Sequence, residues 1–64
     1  MRVKIKLERK LFTVIVISFA TDKELYRFVV DAKVESRVNH LYSALHEIAS
    51  IYERAGNEVT IELV

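Results

Sequence analysis

The stretch from Ser36 to Ala55 constrains this chain more than any other, because at 100° per residue it divides into two halves without exception. Val38, Leu41, Tyr42, Ala44, Leu45, Ile48, Ala49, Ile51, Tyr52 and Ala55 fill one half of the helical wheel. Asn39, His40, Ser43, His46, Glu47, Ser50, Glu53 and Arg54 fill the other. Ser36 is a suitable N-cap, and Gly56, the single glycine, stands where a left-handed residue ends a helix. Such a helix is roughly 30 Å long. It needs an apolar surface of similar length to lie on, and the rest of the chain has to provide it.

That remainder reads as strands. Arg2 to Glu8 alternates, with Val3, Ile5 and Leu7 on one side and Arg2, Lys4, Lys6 and Glu8 on the other. After the polar Glu8-Arg9-Lys10, the run Leu11 to Phe19 is apolar on both faces, as expected of a central strand. Thr21-Asp22-Lys23-Glu24 breaks it, and Leu25 to Asp31 is rich in aromatic and β-branched residues. Thr21 and Glu24 also have capping-box spacing, so 22–33 could open a helix instead; Phe28-Val29-Val30 is poor helix material and favours the strand. Glu58 to Val64 alternates again, with Val59, Ile61 and Leu63 on one side. The expected fold is α+β in the order βββαβ: a four-stranded antiparallel or mixed sheet with one amphipathic helix on one face, forming a single domain over 1–64.

Loop lengths convert this order into faces. A three-residue loop at Glu8-Arg9-Lys10 sets Leu7 opposite Leu11 and Val3 opposite Ile15. A four-residue loop at Thr21–Glu24 sets Phe19 opposite Tyr26 and Ile15 opposite Val30. Both loops then put Val3, Ile5, Leu7, Ile15, Ile17, Phe19, Tyr26, Phe28 and Val30 under the helix. Phe12, Val14, Val16, Leu25 and Val29 are left on the open face as an apolar patch, of the kind that marks an interface. The expected partner is a second copy of the chain, in a homodimer or higher oligomer.

Size supports that expectation. A chain of 64 residues buries only about 60% of its unfolded surface and commonly needs a disulfide, a metal or a partner. Cysteine is absent and histidine occurs twice, which leaves a well-made core or a partner subunit. Hydrophobic residues make up 52% of the chain, enough to argue against disorder. The net charge of +1 gives no global pull toward nucleic acid or an anionic membrane. The opening residues lack a signal-peptide layout, and the apolar run Leu11–Ala20 is about half of a membrane span. A cytoplasmic protein is expected; the lack of Cys and Gln, with abundant Ile, Val, Lys and Glu, leans toward a thermophile composition.

Motifs for chemistry are sparse. His40 and His46 are six residues apart, roughly 120° on the wheel, so they do not form an i, i+4 metal pair. His46 shares the polar face with Asn39, Ser50 and Glu53. Asp22, Glu24, Asp31, Glu35, Glu47, Glu53, Glu58 and Glu62 are dispersed, without the paired spacing of an acid and a base. Ser36, Ser43 and Ser50 recur without a nucleophile elbow. One glycine cannot build a phosphate-cradling loop. No catalytic residue, cofactor or metal site is assigned, and an enzyme is not expected.

Arg2, Lys4, Lys6, Arg9 and Lys10 crowd the first ten residues and could contact nucleic-acid phosphates. The competing expectation, which is favoured, pairs Lys4 and Lys6 with Glu58 and Glu62 across neighbouring first and last strands.

Leu41-Tyr42-Ser43-Ala44-Leu45, then Ala55-Gly56, then Val59-Thr60-Ile61-Glu62-Leu63 resembles the first helix and following strand of the ribonuclease H-like fold. The βββαβ order resembles that fold's opening half. The resemblance implies a partial ribonuclease H-like topology, but the fold's metal site requires an Asp on the first strand, where this chain has Val3-Lys4-Ile5-Lys6. No Asp follows the fourth strand up to Val64, so nuclease chemistry is not implied. Small antitoxins of the HicB type have a similar partial architecture, with a Gly- and Pro-containing hairpin that has no counterpart here.

Overall fold

The structure, a computed structural model, describes residues 1–31 and 34–64, apart from the side chains of Val34 and Glu35. Four strands and one long helix follow in the order βββαβ: β1 (Arg2–Glu8), β2 (Thr13–Ser18), β3 (Glu24–Val29), α1 (Val34–Arg54) and β4 (Glu58–Leu63). They form the expected α+β fold, with a mixed sheet in the order β3-β2-β1-β4. β2 runs antiparallel to both β1 and β3, and β4 runs parallel to β1. Two antiparallel steps make β3 parallel to β1 as well, so α1 is the crossover between the two edge strands of one sheet. It therefore has to lie over the central pair, β1 and β2.

The core is what that crossover covers. Val3, Ile5 and Leu7 of β1, Val14 and Val16 of β2, and Leu41, Leu45 and Ala49 of α1 form one buried cluster with Val30. Ala44, Ile48, Tyr52, Val59 and Phe12 pack around it. A helix is about 10–12 Å across, whereas the outer axes of four strands are about 14 Å apart. One helix cannot cover all four. The inward-facing residues of both edges remain half-exposed, Tyr26 and Phe28 on β3 and Ile61 and Leu63 on β4.

The face assigned to β2 is corrected by the structure. Leu7 pairs with Val14 and Ile5 with Val16, so Val14 and Val16 point inward and are completely buried. Ile15 and Ile17, expected beneath the helix, point outward. The connection from β1 holds four residues, Arg9 to Phe12: a 3-10 turn at Arg9–Leu11, closed by Phe12 in the left-handed region at φ 48°. This shifts the pairing by three residues relative to a three-residue loop, and an odd shift turns a strand over. On the other side, Val14 pairs with Phe28 and Val16 with Tyr26, with an irregularity between Val16 and Ile17. That is a second shift by three. The two shifts cancel for β1 and β3, whose faces are as expected, and β2 alone is inverted.

Phe12 is also not an outer-face residue. Its half-buried ring packs on the core with the Arg37 guanidinium 4.2 Å from the ring centre. Its carbonyl accepts the Val30 N–H at 2.8 Å. Burial of the ring and this long-range bond offset a left-handed backbone that disfavours a Phe by about 1–2 kcal/mol.

The helix limits are a further comparison. Ser36 lies within α1, two residues past its start at Val34, and so is not its N-cap. Ala32 and Lys33, the end of the segment that could have been helical, lie outside the described residues; 24–29 are strand. The C-terminus is as expected. Gly56 has φ 90°, its N–H donates to Glu53 O at 3.0 Å, and the Asn57 N–H donates to Tyr52 O at 3.0 Å. These are the two bonds of a Schellman cap. The Asn57 side-chain amide donates to the same Tyr52 carbonyl. No described helix is long and apolar enough to cross a membrane.

Candidate functional site

β3 is unlike the rest of the sheet. All six of its residues are exposed, and four are large and apolar: Leu25 (43%), Tyr26 (46%), Phe28 (40%) and Val29 (55%). On the inner side, Tyr26 and Phe28 form the floor of a groove whose far wall is the flank of α1, made by Ala44, Glu47, Ile48 and Ile51. Tyr52 closes one end. At the other end the groove becomes more polar, with Asp31, His40, Ser43 and Glu47 around Phe28 and Val30. The groove exists because α1 is centred on β1 and β2, so Ile51, although on the apolar half of the wheel, is 52% exposed.

Among the described residues, no strand pairs with the outer edge of β3. The Val30 N–H bonds to Phe12 O, toward β2. In an antiparallel ladder alternate residues bond to the same side, so Phe28 and Tyr26 also bond to β2. Arg27 and Val29 then direct N–H and C=O away from the sheet. An unpaired edge of this kind is a template for another strand unless charge, proline or a covering segment blocks it. β3 carries two charges, and they neutralise each other: Arg27 Nη2 donates to Glu24 Oε1 at 2.8 Å and Arg27 Nε to Glu24 Oε2 at 3.3 Å. This fork-like pairing holds the Glu24 carboxyl below the ordinary glutamate range, through the hydrogen bond from Arg27 above all, with desolvation opposing it and the charge of Arg27 adding a smaller part.

Of the residues expected to make an interface, Leu25 and Val29 are exposed on β3, whereas Val14 and Val16 are core and Phe12 is half-buried beside it. The outer face of the sheet is therefore not an apolar patch. Ile15 is flanked in register by Lys6 and Arg27 and is only 4% exposed, because long aliphatic stems shield an apolar neighbour while their charges stay in water.

The basic residues lie on that outer face and around the first turn. Lys4 Nζ is 3.2 Å from Glu62 Oε2, and Arg2 Nη2 is 3.5 Å from Glu58 Oε1, both across the parallel β1–β4 pair. Arg2 also lies over the Phe19 ring at 5.0 Å. Arg9 Nε points at the Val64 carbonyl. Lys6 faces Glu62 in register, but the ion pair of Glu62 is with Lys4. Cross-strand pairing thus forms as anticipated for Lys4 but not for Lys6: Glu62 takes Lys4 and Glu58 takes Arg2.

The two histidines are on different surfaces. His46 lies with Ser43, Glu47, Ser50, Glu53 and Arg54 on the solvent side of α1, and His40 lies at the polar end of the groove. Among the described residues, no three His, Cys, Asp or Glu side chains come together as a metal site would require.

Phe19, Tyr26 and Phe28, expected beneath the helix, and Val38, Tyr42 and Ile51, expected on its buried side, are surface residues. The available signal was the crossover: a strand leading directly into the helix that returns to the far edge must itself be an edge.

No protein-family model, curated protein or solved structure matches this chain.

Proposed function

We propose that this chain is a small interaction protein, not an enzyme, that acts as a homodimer or higher oligomer joined through β3 and the groove beside it. The observation that carries this reading is the exposure of Leu25, Tyr26, Phe28 and Val29 on one short edge strand. Aromatic and apolar side chains next to an open main-chain edge offer both terms that stabilise an interface, area and directed hydrogen bonds. The modest size of the core gives a reason for such a surface to be occupied. The test is sedimentation equilibrium from micromolar to millimolar protein. The expected result is a mass that rises with concentration above the 7.5 kDa of the chain; a constant 7.5 kDa throughout would refute the reading.

A second reading, nucleic-acid contact through Arg2, Lys4, Lys6, Arg9 and Lys10, has less support because Arg2 and Lys4 face carboxylates. It requires binding to an oligonucleotide that weakens steeply with salt and falls when Lys6 and Lys10 are neutralised.

A further inference from the structure

We infer that the partner of β3 is β3 of a second copy, added antiparallel with Arg27 on the two-fold axis, so that the two sheets become one. This inference rests on the self-association just proposed and specifies its geometry.

The main chain sets the first condition. Arg27 and Val29 are the regular β3 residues whose N–H and C=O face outward, as the inward bond of Val30 to Phe12 requires. A two-fold axis perpendicular to the sheet pairs residues whose numbers have an even sum, and side chains of opposed residues then share a face. With the axis at Arg27, the two Arg27 residues exchange both hydrogen bonds, and Val29 comes opposite Leu25 of the other copy, the residue left over where the β2–β3 register shifts. Moving the axis to Tyr26 sets Arg27 against Leu25, charge against apolar side chain. Moving it to Phe28 runs the pairing past Val29, where β3 ends.

The side chains set the second. On the groove side, Tyr26 meets Phe28 of the other copy twice, in the close, non-hydrogen-bonded pairs where cross-strand aromatic contact is strongest. On the outer side, Leu25 meets Val29 twice. All four exposed apolar residues of β3 gain an apolar partner in this one register. The adverse contact is Arg27 against Arg27, and here the structure supplies the compensation: each guanidinium is already held by Glu24 of its own strand.

The opposite edge does not offer the same match. β4 carries Glu58, Thr60 and Glu62 on its outer side, with Glu58 and Glu62 already engaged by Arg2 and Lys4, so antiparallel self-pairing would give that side no apolar match.

The chain has no cysteine, which makes the register directly readable by single substitutions in the full chain. Arg27→Cys should form a disulfide-linked dimer under mild oxidation, since residues opposed in a hydrogen-bonded pair are about 5.5 Å apart at Cα. Leu25→Cys and Val29→Cys should each fail to crosslink alone and should crosslink when mixed. Val29→Pro removes an outward N–H without an internal bond, so it should leave the circular dichroism of the monomer intact and weaken association about tenfold or more. Arg27→Thr should tighten it. If the wild type associates but Arg27→Cys stays uncrosslinked, or Val29→Pro associates as well as wild type, the register is wrong while self-association stands. A wild type that stays monomeric to millimolar concentration overturns both.

Discussion

The two edge strands of this sheet both face water along one side and are opposite in what they do with it. β4 lies parallel to β1 and directs Glu58 and Glu62 at Arg2 and Lys4, so its charges are engaged within the protomer. β3 lies antiparallel to β2, and its Glu24–Arg27 ion pair is local to the strand. The apolar residues of β4 alternate with polar ones, whereas β3 carries apolar side chains on both faces, Tyr26 and Phe28 inside and Leu25 and Val29 beside the Glu24–Arg27 pair outside. Polar alternation makes an edge that water can keep. Apolar side chains on both faces of an edge call for a neighbour, and the difference between the two strands points to β3 as the associating side.

The largest expected effect tests the inversion of β2, on which this contrast depends. Val16→Lys buries an ammonium group at a fully covered site and should unfold the chain, because an unpaired buried charge costs several kcal/mol against a total stability of only about 3–10 kcal/mol for this length. Ile17→Lys, one residue along and on the outer side, should leave a cooperatively folded protein in urea titration. If Ile17→Lys unfolds the chain and Val16→Lys does not, β2 faces the other way, and the exposed surface has to be assigned afresh.

The next effect separates the edges directly. Phe28 and Ile61 are inward-facing and comparably exposed, at 40% and 49%. Phe28→Lys is expected to abolish concentration-dependent association in sedimentation while preserving the helical circular dichroism signal. Ile61→Lys should leave association as it is. Equal losses from both would show that the two edges contribute alike and would dissolve the contrast.

The reach of the sequence can be judged from these same elements. The alternation of Val3, Ile5 and Leu7 and the wheel of α1 specify buried faces because each repeats a single period over many residues. Gly56 was legible because a left-handed cap has few other occupants. The face of β2 was not legible, because Thr13 to Ile17 is apolar on both sides and its orientation rests on turn geometry. That geometry included a left-handed Phe, which sequence preferences argue against, and an irregularity beside Val16. Two loops agreed with each other because both erred by an odd number. The candidate surface was missed for the same reason: with Val14 and Val16 turned outward, the outer face looked apolar and the groove beside β3 looked filled.

Smaller effects bear on the scaffold that holds the two edges. Gly56→Ala meets no steric obstacle, since no atom lies within 4 Å of the added carbon, yet φ of 90° is unfavourable for it. The expected loss is about 1–2 kcal/mol in chemical denaturation, with association through β3 unchanged once the protein is folded. At the β4 edge, a double-mutant cycle on Lys4 and Glu62 should give a coupling of about 0–1 kcal/mol that shrinks with salt, as for other solvent-exposed pairs. A larger, salt-independent coupling would mean that this edge is covered in the assembled protein.

The smallest effect is the most specific to β3. The Glu24 carboxyl is held below its ordinary range by Arg27, mainly through the hydrogen bond. A carboxyl lowered in the folded state contributes above its unfolded value, and the contribution is lost as pH falls through the folded one. Arg27 faces Glu24 on its own strand, with Glu8 as a weaker electrostatic neighbour and Lys6 beyond Ile15 across β2. Protonating Glu24 therefore leaves Arg27 with less compensation at the position proposed for the two-fold axis. Association should weaken as pH is lowered through the acidic range, and Arg27→Thr should remove most of that dependence. A carboxyl titration of Glu24 by nuclear magnetic resonance, compared between wild type and Arg27→Thr, locates the midpoint independently. If association is insensitive to pH while Glu24 titrates as described, Arg27 does not lie at the seam, and β3 joins its partner in another register.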